Sequence, residues 1–163
     1  FYGGAHEKNR RPGTENVAGA VGLARTLEIA DRRRDADHKT LTELADYFID
    51  RLLREIPDVH FNGPRNNRIP QTVNVSLPGC EGEALLLSLD MERIACSSGS
   101  ACTAGATEPS HVLTAMGIPR TIAQSAVRFS LGRSTTRDQL DYVLAKLPAI
   151  VQRLRAMSPT YNK

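Results

Sequence analysis

Residues 41–56, LTELADYFIDRLLREI, place apolar side chains at Leu41, Leu44, Ala45, Phe48, Ile49, Leu52, Leu53 and Ile56. The intervals alternate between three and one, which lays these side chains along a single stripe of a helix. No Pro occurs from Thr14 to Ile56, so the helical reading extends backwards to cover 15–56. Upstream, Ala20, Leu23, Ala24 and Leu27 continue the period more weakly, and Asp31 to Lys39 is almost wholly charged. The pattern fits one long helix or two with a break near residue 35. Thr14 is the predicted N-cap and Pro57 the stop.

The texture changes after this helix. Thr72-Val73-Asn74-Val75-Ser76-Leu77 alternates polar and apolar side chains before a Pro78-Gly79 turn, which predicts a strand. Glu81 to Leu89 predicts a short, mostly buried helix, Ile94-Ala95-Cys96 a strand, and His111 to Met116 a helix stopped by Gly117 and Pro119. Ala126-Val127-Arg128-Phe129-Ser130 reads as another strand. Thr136 and Gln139 have capping-box spacing ahead of Leu140, Val143, Leu144, Leu147, Ile150, Val151 and Leu154, so the chain closes on a helix. Pro148 would delete the bond to the Leu144 carbonyl, which predicts a kink or two helices. The class is α/β, in the α+β sense of a small sheet packed on long helices.

Composition narrows the function. The 163 residues are 40% hydrophobic and 24% charged, enough for one domain to bury its core without staples. No apolar run approaches the ~20 residues needed to span a bilayer, so no membrane role is expected. A net charge of +3 without a basic run and interleaved aromatics argues against nucleic acid. Three cysteines, an odd number, argue against a disulfide framework and for a reducing, cytoplasmic setting. The chain starts at Phe1 without Met or an apolar leader, which reads as a cut within a longer polypeptide.

Three features carry chemistry. Residues 95–107, ACSSGSACTAGAT, hold nothing larger than Cys or Thr, yet include Cys96 and Cys102. A thiol on such a run suits a nucleophile that must move, although an ordinary loop with incidental cysteines is equally compatible. Zinc is disfavoured, because five residues separate the two cysteines and no paired His follows. From Pro109 to Arg137 there is no Asp or Glu, while Arg120, Arg128, Arg133 and Arg137 are present. Arg128 alternates with Val127 and Phe129, so its planar fork projects from the opposite strand face and suits bidentate capture of a carboxylate, although an ordinary solvated strand face is equally compatible. Arg133 and Arg137 read as surface or helix-start residues. Finally, Gly3-Gly4-Ala5-His6-Glu7 leads through Arg10-Arg11-Pro12-Gly13-Thr14 into the long helix, an arrangement that serves either as a simple cap or as a phosphate site.

Taken in order, GGAHEKNRRPGTENVAGAVGLA, SSGSACTAGATEPSHVLTAMG and AVRFSLGRSTT resemble the C-terminal part of the pyridoxal-phosphate-dependent cysteine desulfurases of iron–sulfur cluster assembly. The resemblance runs from residue 3 to about 140. It implies the C-terminal region of a fold-type-I PLP transferase: residues 1–14 ending the large cofactor domain, 15–56 forming the connecting helix and 57–163 forming the small domain. It also implies roles. Cys102 matches the catalytic cysteine that takes sulfur from L-cysteine as a persulfide, leaving L-alanine. Arg128 matches the arginine that holds the substrate carboxylate. Thr14 matches the threonine that contacts the cofactor phosphate of the other subunit of a homodimer. An iron–sulfur scaffold or another sulfur acceptor is the implied partner. No resident metal is implied, with Cys102 the residue that could ligate a cluster in passing. Cys96 becomes a strand-end or loop thiol, Cys80 a turn residue, and His6 and His111 surface or structural residues.

One departure limits what this chain does alone. The family's Schiff-base lysine stands upstream of the glycine-rich segment, and neither Lys8, Lys39, Lys146 nor Lys163 has that context. The chain is therefore expected to lack PLP turnover by itself. The alternatives are selenocysteine lyase or another PLP enzyme of this fold, or a non-enzymatic sulfur-carrier or interaction fragment.

Overall fold

The stripe from Leu41 to Leu53 lies in the second half of one helix, α1 (Val17–Glu55), with Ile56 just past its end, in a computed structural model that describes residues 2–98, 109–159 and 161. The helix runs unbroken through the charged stretch, which settles the one-or-two question. Its cap differs from expectation. Asn16, not Thr14, accepts the Gly19 N–H at 2.9 Å through its side-chain oxygen, so the helix starts two residues later. Asn is the stronger capping residue of the two, which is the physical reason for the shift.

Contacts divide the chain into two units, Phe1–Asp37 and His38–Lys163. In the first, β1 (Ala5–His6) and β2 (Arg11–Pro12) form a short antiparallel hairpin whose turn residues Glu7, Lys8 and Asn9 all take positive φ. The Arg11 guanidinium donates to the carbonyls of Gly13 and Thr14 at 2.9 and 3.3 Å, fixing the approach to α1.

The second unit holds a three-stranded antiparallel sheet in the order β3 (His60–Phe61), β4 (Thr72–Ser76), β5 (Ala126–Ser130). Between β4 and β5 the chain forms α2 (Gly82–Met91), α3 (His111–Ala115) and α4 (Arg120–Ala123), and it closes on α5 (Arg137–Met157). The alternation read from the sequence sends Val73, Val75, Val127 and Phe129 into a core shared with Phe48, Ile49 and Leu52 of α1 and Leu144, Leu147 and Val151 of α5. Phe48 meets Phe129 edge to face, with ring centroids 5.2 Å apart. Each large side chain buried in this way contributes about 1.5–3 kcal/mol.

Two further expectations are corrected. Ile94–Cys96 is not a strand: Ile94 packs into the core after α2, and the sheet contact falls one residue later, as an isolated bridge at Ser97. Of the two outcomes expected at Pro148, separate helices are excluded, because α5 is continuous through it, fastened at its start by a complete Thr136–Gln139 capping box.

Candidate functional site

The site builds from the register of two strands. β4 and β5 pair with Asn74 directly opposite Arg128. Because Val73, Val75, Val127 and Phe129 face the core, Asn74 and Arg128 share the other face of the sheet, as the sequence alternation requires. Arg128 is half-buried, and its Nε lies out of solvent with no hydrogen-bond partner among the described residues. The guanidinium thus carries an unsatisfied donor in a stretch of chain that has no acid from Pro109 to Arg137.

Two features of this face were not read from the sequence. The first is Ser97, whose N–H donates to the Arg128 carbonyl at 3.0 Å while the Arg128 N–H donates to the Ser97 carbonyl at 2.7 Å. The backbone that bears Arg128 is thereby joined to the root of the small-residue run. The second is Asn62, which follows β3 and donates its side-chain amide to Asn74 Oδ1 at 2.7 Å and to Ser76 Oγ at 2.8 Å. Alternation in TVNVS could have placed Asn74 on the Arg128 face. Its partner strand could not be read, because two-residue strands such as β3 have no periodicity.

The remaining predicted residues fall as follows. Cys102 lies outside the described residues. Cys96 is half-buried, and burial, reinforced by the Asp90 charge, pushes its thiol up to about 11, which makes it a poor thiolate near neutrality. Cys80 is buried in the core with its thiol also pushed up by burial, an effect opposed by nearby Arg155. His6 Nδ1 approaches Glu15 at 3.3 Å, a structural contact at the helix approach, and His111 is exposed at the start of α3. Among the described residues no cluster of His, Cys, Asp or Glu could hold a metal ion, and no helix is long and apolar enough to cross a membrane.

Thr14 is exposed, and no hydrogen bond engages its hydroxyl among the described residues. The amides at the start of α1 are largely committed: Val17 donates to Glu15, Gly19 to Asn16 Oδ1 and Ala20 to the Asn16 carbonyl. The helix start is therefore a cap, and what it leaves for an anion is the Thr14 hydroxyl.

An antiparallel sheet backed by two long helices, with a strand arginine on its far face, makes this an α+β arrangement. The chain belongs to the aminotransferase class-V family, whose pattern matches residues 4–143. It is 46% identical over 159 residues to cysteine desulfurase IscS of Dictyoglomus turgidum, covering 98% of this chain and 40% of that protein. It is 49% identical over 162 residues to a cysteine desulfurase of a Nostoc species, covering 99% and 40%. A solved structure of a NifS-like protein superimposes with a TM-score of 0.78 at 33% identity, over 94% of this chain and 38% of that one. The chain thus spans about two-fifths of the length of the curated relatives it matches.

The family's cofactor is pyridoxal 5'-phosphate. Toward its phosphate the described residues offer a single exposed hydroxyl, that of Thr14. They do not fit the lysine bond: Lys8 sits in the left-handed hairpin turn, Lys39 is exposed on α1, and Lys146 bonds Glu92 at 2.9 Å.

Proposed function

We propose that this chain is the C-terminal part of a cysteine desulfurase, with residues 1–14 ending its large domain, 15–56 connecting and 57–163 forming its small domain. The carrying observation is the sheet face on which Arg128 keeps an unpartnered guanidinium nitrogen while its backbone is clipped to Ser97. Arg128 holds the carboxylate of L-cysteine. Cys102 is five positions after Ser97 in the sequence. Its thiolate takes the sulfur: the carbon–sulfur bond of L-cysteine breaks, a sulfur–sulfur bond forms at Cys102, and the protons redistribute to leave a persulfide and L-alanine. The cofactor, when bound, supplies the electron sink that this cleavage requires. The lysine that carries it comes from outside this chain, and Thr14 contributes a phosphate contact across a homodimer. The persulfide then passes to a scaffold or other acceptor protein in the cytoplasm.

The test is made in the full-length parent. Cys102→Ala is expected to abolish alanine and sulfide release from L-cysteine, and Arg128→Ala to raise KM for L-cysteine at least tenfold by removing a charge-assisted, bidentate contact. Sulfur release that survives Cys102→Ala sinks the reading.

A further inference from the structure

The face that bears Arg128 is a row rather than a point. Ser76 is fully buried and receives the Asn62 amide, the same amide donates to Asn74 Oδ1, and Asn74 stands opposite Arg128. The Asn62 main chain is also tied to Asn74, its N–H donating to the Asn74 carbonyl at 2.9 Å. A carboxamide has one acceptor oxygen and one two-proton donor nitrogen. With one lone pair of Oδ1 engaged by Asn62, Nδ2 is the group of Asn74 that has no partner among the described residues. Residues directly opposite in an antiparallel pair have Cβ atoms about 4.5–5.5 Å apart, close enough for two side chains to serve one ligand.

The groups left without a partner on the two side chains, Asn74 Nδ2 and Arg128 Nε, are both donors, and two donors cannot satisfy each other. Two adjacent donors on a half-buried face call for an acceptor between them, and a carboxylate has oxygens enough for both. The neutrality of Asn74 matters equally, because an acid at this position would pair with Arg128 and close the site to an incoming anion.

We infer that Asn74, held in orientation by Asn62 and Ser76, is a second donor to the substrate carboxylate beside Arg128. This deepens the proposed function and rests on its placement of the carboxylate at Arg128.

The experiment uses the full-length parent with its cofactor. Asn74→Asp retains the acceptor that Asn62 needs and replaces the donor with a charge. It is expected to raise KM for L-cysteine about tenfold or more while kcat stays within about twofold and Tm is unchanged, a split that loss of packing would not produce. Asn74→Ala removes the donor alone and is expected to raise KM several-fold, which decides the matter if Asn74→Asp does not fold. Arg128→Ala is the control. If it raises KM while both Asn74 variants stay within about twofold of the parent, the inference about Asn74 is overturned and the role of Arg128 stands. If Arg128→Ala itself leaves KM unchanged, the carboxylate does not bind on this face and both fall.

Discussion

Arg155 shows how a single residue can organise a small domain. It is 7% exposed, and its Nε and Nη1 donate to the carbonyls of Pro78 and Pro57 at 2.9 and 2.8 Å. The Tyr161 ring covers the guanidinium at 4.5 Å, and the Tyr161 hydroxyl donates to Asp58. Arg155→Met would fill the space but strand two carbonyls, and it is expected to cost about 2–4 kcal/mol in denaturant unfolding. Cys96 makes the chain sensitive to alkali. Its folded thiol is held up to about 11 against an ordinary value of 9.0, so the unfolded chain ionises first as pH rises. Stability from this residue is complete below the unfolded value and is lost as pH climbs through the folded one. Denaturation between about pH 8 and about pH 10.5 should show a decline that Cys96→Ala makes shallower.

The regular elements were largely legible in the sequence, and the exceptions have physical causes. α5 was read with its cap, and Thr136→Ala is expected to cost about 1 kcal/mol in thermal or denaturant melts by freeing the Gln139 amide. β4 and β5 were read because five residues of alternation suffice to show a buried face. β3, β1 and β2 were not, since two residues carry no period. Ile94–Cys96 misled because an apolar residue entering the core from a turn resembles the start of a strand. At the site, Arg128 and its open face followed from alternation and from the missing acids. Asn74 as its neighbour, Asn62 behind it and Ser97 beside it depend on pairing between segments far apart in sequence, which no local pattern encodes.

At the scale of the molecule, the buried core draws only on residues from Leu41 to Leu154 among those described. A chain begun at residue 38 is therefore expected to unfold cooperatively, with a midpoint within a few degrees of the full 163 residues, as scanning calorimetry would measure. β4 and β5 are immediate neighbours although residues 77–125 intervene, and Ser97 is pinned to β5 partway through that excursion. Under the proposed function, the substrate carboxylate and the sulfur-bearing cysteine are therefore held by separate segments, so a change in the number of residues between Ser98 and Pro109 would leave the strand register that carries Arg128 as it is.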